Sequence, residues 1–206
     1  TSILRGVYQN TLGALNTVNL ENATVTSRMD AAAPVTEAFG IVQQSAFNSN
    51  DLHFGSNGRI SVVGGVTATG IIQSSLGGSN DAEFGAGTRI NVAARSGTGI
   101  ALEQTSSSTD PNTVSFGADA RIIVDATNLA FGIYQDVGLG TASTTFASGA
   151  LLNVTGGAIA AGINQVSTES TFILGENSAI NVAAGIVGFG LRQSPDFNPA
   201  NVSVLL

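Results

Sequence analysis

Few side chains in this sequence could do chemistry, and their spacing decides what they could do. His53 is the only histidine and cysteine is absent. A nucleophile–histidine pair would have to use His53, and both a disulfide framework and cysteine-ligated zinc are excluded. Asp51 and Asp81 stand in the matching contexts Asn50-Asp51 and Asn80-Asp81. Carried on stacked strands they would lie ~5 Å apart, the separation of a retaining glycosidase pair. Asn-Asp at the start of a strand is also ordinary turn chemistry, and that reading is preferred here. His53 takes the position that Glu83 takes one period later, so it is expected as an exposed strand residue paired with Glu83. Arg59, Arg89 and Arg121 form a third set. Stacked outward they would repel, and Asp51, Asp81, Asp119 and Glu83 are expected to neutralise them as a stripe of ion pairs. The alternative for these arginines is a stripe that holds an anionic glycan. No glycine-rich phosphate loop, aspartate-rich calcium repeat or His-Glu-x-x-His zinc motif occurs. The chain is therefore expected to be non-enzymatic, without catalytic, cofactor-binding or metal-binding residues.

The elements that position these side chains follow from a repeat. Gly-apolar-x-Gln occurs at Gly6–Gln9, Gly40–Gln43, Gly70–Gln73, Gly132–Gln135, Gly162–Gln165 and Gly190–Gln193, with a longer copy at Gly99–Gln104. From Gln43 onward the glutamines return at a nearly constant step, as Gln73, Gln104, Gln135, Gln165 and Gln193. A second unit, Arg-Ile-x-Val, occurs at Arg59, Arg89 and Arg121 and continues without arginine at Leu151–Val154 and Ala179–Val182. Ahead of each Ile or Leu of that core, always at the same distance, stands Phe54, Phe84, Phe116, Phe146 or Leu174. A fixed period of about 30 residues marks a repeat architecture.

Alternation reads each period as three short strands. Ile90 and Val92 share one face, while Arg89 and Asn91 share the other. The residue before each glutamine varies (Tyr8, Val42, Ile72, Tyr134, Asn164, Arg192) and is expected to face out. The longer copy is expected to keep parity, with Ile100, Leu102 and Gln104 on one face. A unit of this size cannot bury its apolar face alone, whereas stacked parallel units can. The predicted fold is an all-β parallel β-helix, or β-solenoid, of six to seven coils, roughly 30 Å tall at ~4.8 Å per coil. Phe54, Phe84, Phe116 and Phe146 would form one interior aromatic ladder. The glutamines would form an inward amide ladder bonded from coil to coil. Gly64-Gly65 and Gly156-Gly157 are expected to supply positive φ at tight corners. Ser74–Asn80, Thr105–Asn112 and Asp136–Ser143 are expected as loops of varying length on one edge, where recognition usually sits.

Residues 1–38 match the unit poorly and are assigned to an irregular N-terminal coil or cap, with Thr24-Val25-Thr26 in the place of Arg-Ile-x-Val. Ala31–Ala33 before Pro34 could form a short helical turn. Residues 39–206 are assigned to regular coils, the last one incomplete. The net charge of −7 and the absence of lysine argue against a nucleic-acid partner. The 43% hydrophobic content argues against disorder. No run reaches the ~18 apolar residues of a membrane helix, so the chain is not expected to span a membrane. Threonine pairs at Thr24/Thr26 and Thr67/Thr69 do not repeat in register, which weighs against an ice-binding face.

The cadence A-x-G-I-x-Q, polar loop, F-G-x-x-x-R-I-N-V and glycine turn, over roughly residues 39–193, resembles autotransporter passenger domains. These are the secreted β-helices of Gram-negative surface proteins. The resemblance implies an exported, extracellular or cell-surface adhesive or structural stalk, and it carries over no catalytic residue; a glycan or host-surface ligand is a candidate partner. A polysaccharide-binding or polysaccharide-cleaving β-helix is the alternative. The chain starts inside one repeat and stops inside another, and is expected to be a trimmed piece. Further coils of a longer chain would then adjoin it, or a second copy would continue the stack as a filament. The expected self-association edges carry Val7 and Tyr8 at one end and Val202 and Val204 at the other.

Overall fold

The computed structural model describes residues 2–28, 35–194 and 202–205. Every described element is a strand, and every pairing between them is parallel. The first coil is β1 (Ser2–Thr11), β2 (Asn16–Leu20) and β3 (Thr24–Arg28). The second is β4 (Val35–Ser45), β5 (Asn50–Phe54) and β6 (Arg59–Gly64). The third is β7 (Thr67–Ser75), β8 (Asn80–Phe84) and β9 (Arg89–Ala94), and the fourth β10 (Thr98–Ser106), β11 (Asn112–Phe116) and β12 (Arg121–Ala126). The fifth coil has β13 (Leu129–Phe146) and β14 (Leu151–Gly156), and the sixth β15 (Ile159–Leu174) and β16 (Ala179–Ala184). β17 (Val187–Ser194) and β18 (Val202–Leu205) both lie on β15. The fold is thus a parallel β-solenoid of about six turns. The first coil is in register with the second, with Gln9 on Gln43 and Val25 on Ile60. The boundary expected at residue 38 falls inside β4, and residues 31–34 lie outside the described residues.

Two sheets enclose the core. The smaller has six strands in the order β16-β14-β12-β9-β6-β3. The larger has twelve and bends, because β13 pairs β10 along its first half and β11 along its second. Ile60, Ile90, Ile122 and Leu152 stack fully buried, one per coil, as do Val62, Val92, Val124 and Val154. Phe84, Phe116 and Phe146 stack face to face at 4.6 and 4.9 Å with planes 9° apart. Phe54 closes one end at 6.2 Å. Leu174 is in register with Phe146, but the ring contact comes from Phe172, edge-on at 6.2 Å. Burying each such side chain contributes about 1.5–3 kcal/mol.

Four expectations are corrected. First, the segment from Gly99 to Gln104 is not a stretched copy. Gly99 sits on Ala68, Leu102 on Ile71 and Gln104 on Gln73, so Ala101 takes the place of Gly70. Ile100 falls outward beside Thr69, and two adjacent buried residues, Ala101 and Leu102, break the alternation. This break recurs in β4 and β7 and turns the wall inward. A Cβ at Gly40 would run into the Gly70 carbonyl oxygen, and one at Gly132 into that of Gly162. Close approach of the next coil's backbone is what the repeated glycine serves.

Second, positive φ does not occur at Gly64, Gly156 or Gly157, where instead close backbone contacts leave no room for a Cβ. It occurs at Asn22, Asn57, Gly87, Asp119, Gly149 and Asn177, in the turns that follow Leu20, Phe54, Phe84, Phe116, Phe146 and Leu174. This is the place in a tight turn that demands a left-handed residue.

Third, the residue before the glutamine is not always outward and free. Val42 and Asn164 are buried. Tyr8, in register with Val42, reaches its hydroxyl to Gln44 Oε1 at 3.2 Å and lies across it. Asn164 is a short side chain between Tyr134 and Arg192 in the same file.

Fourth, Asp136–Ser143 is not a loop but the middle of β13. The other two loops shrink to residues 76–79 and 107–111.

Candidate functional site

The solenoid places the repeated polar residues in two interior files and two outer faces. From Gln43 onward the interior glutamines form an unbroken chain, while Gln9 stands outside it, donating to the Thr17 carbonyl with its Oε1 unpartnered. Nε2 of Gln73 donates to Oε1 of Gln43 at 3.0 Å, Gln104 to Gln73, Gln135 to Gln104 and Gln165 to Gln135 each at 2.8 Å, and Gln193 to Gln165 at 2.7 Å. The direction is fixed by backbone acceptors: the same Nε2 atoms also donate to the carbonyls of Asp81, Thr113 and Ser143. Gln43, Gln73, Gln104, Gln135 and Gln165 are all fully buried, so each side-chain amide is satisfied inside the stack.

A second amide file runs beside the first, and the repeat reading missed it. Asn16, Asn50, Asn80 and Asn112 open β2, β5, β8 and β11 and are buried, two of them in the Asn-Asp pairs read above as turns. Asn16 Nδ2 donates to Asn50 Oδ1 at 2.9 Å, Asn50 to Asn80 at 2.7 Å and Asn80 to Asn112 at 3.3 Å. Each also donates to a carbonyl one coil on, of Gln44, Ser74 and Thr105. The donors of this file point toward the C-terminal coils, those of the glutamine file toward the N-terminal ones. Asn112 Nδ2 has no partner, because its neighbour in register is Ala142. The signal lay in the spacing: Asn16, Asn50, Asn80 and Asn112 follow Gln9, Gln43, Gln73 and Gln104 at a nearly constant distance.

The outer face of the larger sheet carries the histidine and most of the paired carboxylates. His53 Nδ1 lies 3.2 Å from Glu83 Oε2, and its Nε2 lies 3.4 Å from Glu21 Oε1, so it bridges three coils. Asp51 and Asp81 are neighbours in register, and the Thr113 hydroxyl donates to Asp81. Partial burial raises the Asp51 carboxyl above its ordinary range, and Asp81 and Glu83 add to this while His53 opposes it. Glu103 is raised by burial and then by Asp136.

The outer face of the smaller sheet is different in sign. Arg59, Arg89 and Arg121 stand side by side in register and are exposed. None has a carboxylate within 4.0 Å among the described residues, so the expected ion-pair stripe is not formed. Asp51, Asp81 and Glu83 point from the other sheet, across the turn. The six strands hold four of the seven arginines, Arg28 included, and one of the fourteen carboxylates, Asp125. That is a balance of +3 against −10 for the rest of the chain. Beside the arginine file runs a row of Ser61, Asn91, Ile123, Asn153 and Asn181. Two shallow depressions, of about 150 and 380 Å³, flank Ile123 along this row.

Of the expected edge residues, Val7 is half-buried in β1 and Tyr8 is exposed under the Arg5 guanidinium, 4.5 Å from the ring centre. The backbone of Val202 pairs with Ser170 and that of Val204 with Phe172. Comparison with protein families, with curated proteins and with solved structures found nothing that matches this chain.

Proposed function

We propose that this β-solenoid is a non-enzymatic structural and adhesive element of a bacterial surface, exported and exposed outside the cell. The observation that carries the reading is the pair of interior amide files. The most regularly repeated polar residues are engaged coil to coil, which makes a stiff stack whose outer faces are free for contact. The resemblance of the repeat to passenger domains supports an extracellular, Gram-negative setting. Incubating the protein with a panel of plant and bacterial polysaccharides tests the reading. No release of reducing or unsaturated ends is expected. Release that disappears in Asp51→Asn or Asp81→Asn would overturn it.

That outcome would favour a second reading, a polysaccharide-cleaving β-helix, for which adjacent Asp51 and Asp81 with a raised Asp51 are the supporting observation. The stack could continue into further coils of a longer chain or into a second copy. Electron microscopy at micromolar concentration separates these: fibres abolished by joint Val202→Lys and Val204→Lys would establish the second copy.

A further inference from the structure

We infer that the outer face of the six-stranded sheet binds a linear acidic polysaccharide, a polyuronate, laid along the solenoid axis over Arg59, Arg89 and Arg121. This rests on the adhesive reading and names its ligand class. Three observations lead to it. The arginines are adjacent in register on neighbouring parallel strands, so their backbones recur at about 4.8 Å and their side chains leave the same face one above the other. A polyuronate carries one carboxylate on every sugar ring, so a chain laid along the axis offers a row of carboxylates to a row of arginines. Guanidinium is the side chain suited to a planar carboxylate, because it grips both oxygens at once.

The second observation is the segregation of charge. A chain with no lysine and a net charge of −7 concentrates four arginines on one sheet and leaves the file of three without ion-pair partners among the described residues. Unpaired cations on an otherwise acidic rod steer an anion to that face and repel it from the others. The third is the neighbouring row. Asn91, Asn153 and Asn181 offer amides to sugar hydroxyls, and Asn181 Nδ2 already bonds Asn153 Oδ1 at 2.9 Å, which orients both. Short side chains at Ser61, Ala93 and Ala183 keep this strip low, so a ribbon-like polymer can lie flat on it. The outer face lacks aromatic side chains among the described residues of these six strands, which disfavours single-stranded nucleic acid, whose bases need a stacking platform.

The test uses the 206-residue chain on immobilised polygalacturonate, with neutral dextran and single-stranded DNA as parallel arms, at low and at physiological salt. The expected result is retention on polygalacturonate that weakens with salt, little on dextran, and a loss of about tenfold to a hundredfold in affinity in the triple variant R59Q/R89Q/R121Q. The double variant R5Q/R192Q, which removes arginines lying on the larger sheet, should bind within about twofold of the parent. Unchanged circular dichroism and thermal midpoint in both variants would show that the stack is intact. No binding to polygalacturonate, equal loss in both variants, or preference for DNA would each overturn the inference. So would salt-dependent pairing of the protein with itself that the triple variant abolishes, which would assign the file to a second copy. None of these outcomes touches the adhesive reading, which fails only on polysaccharide cleavage.

Discussion

Coils one to four differ from coils five and six at a single corner. In coils two to four the strand that bears the glutamine ends, the chain loops out through residues such as 76–79 or 107–111, and it re-enters at an asparagine. In coils five and six the same corner is crossed without a break by β13 and β15, which pair with each other on both sides of it. The asparagine file occupies the first region and stops where the second begins, at Ala142 and Ser170. The glutamine file runs through both. The two files therefore do different jobs. Glutamine fills the core from the second coil to the sixth. Asparagine secures the carbonyls of Gln44, Ser74 and Thr105, where the strand ahead of each loop runs out, and becomes unnecessary once a continuous strand pairs its own backbone.

The largest expected effect breaks the file that both regions share. Gln135 Nε2 faces three acceptors, Gln104 Oε1 at 2.8 Å and the carbonyls of Asn112 and Ser143 at 3.2 Å. A carboxylate there would be buried against oxygens it cannot donate to. Gln135→Glu and Gln73→Glu should each cost about 3–5 kcal/mol in denaturant unfolding, alike in the two regions. Tyr134→Ser, on the outer side, should cost about 1 kcal/mol. Equal small shifts for Gln135→Glu and Tyr134→Ser would remove the assignment of faces.

A smaller effect separates the regions. Asn50→Ala strips the acceptor from Asn16 Nδ2 and the Nδ2 donor from Asn80 Oδ1, and frees the Ser74 carbonyl, for about 2–3 kcal/mol. Asn112→Ala has no Nδ2 partner to lose, but it removes the oxygen that accepts from both the Asn80 backbone N–H and Asn80 Nδ2, at 3.0 and 3.3 Å, and should cost about 1–2 kcal/mol. A larger cost at Asn112 than at Asn50 would mean that the file does not end at that coil.

The smallest effect concerns pH at the junction of the regions. Burial, with Asp136 beside it, raises the Glu103 carboxyl in the folded chain. The folded state then holds the proton more tightly than the unfolded one, so acid favours folding through this group and its ionisation at neutral pH disfavours it. Glu103→Gln should raise the thermal midpoint at neutral pH, and the gain over the parent should shrink as the solution is acidified toward the ordinary carboxylate range. Asp51→Asn should behave in the same direction, with a lesser gain because that side chain is more exposed. A gain that grows on acidification would contradict both.

The period and the alternation are enough to read the parallel stack, the phenylalanine file and the inward glutamines, because each rests on side chains that must recur to be buried. Three things are not legible for physical reasons. The Ala101 position misaligns because a wall that turns inward buries two neighbours in a row, and strict alternation has no place for that. The asparagine file reads as turn chemistry because the same residue serves both a turn and a buried strand start. The arginine file reads as neutralised because acids lie close in sequence, whereas the turn at residues 55–58 sends them to a different sheet. Nearness along a solenoid chain is a poor guide to pairing; the residue one period away is the true neighbour.

The left-handed turn residues bear on how such a chain can grow. A Cβ at Gly87 would meet Asn57 Oδ1 at 2.6 Å, and one at Gly149 would meet Asp119 Oδ1 at 2.5 Å. From the second coil onward Asn57, Gly87, Asp119, Gly149 and Asn177 therefore alternate side chain and no side chain, Asn57 and Asp119 filling the space beside Gly87 and Gly149, whereas Asn22 in the first coil puts a second side chain next to Asn57. Across coils two to six the heritable unit by this file is two coils, not one, and the first coil stands outside it. Deleting residues 85–116 would splice one coil out cleanly in every other file yet bring Asn57 under Asp119, two side chains competing for one gap. Removing or duplicating a block of two coils would keep the alternation. Recombination among coils two to six should then be tolerated in even steps, and the lengths open to descendants of this chain by that route would differ from it by pairs of coils.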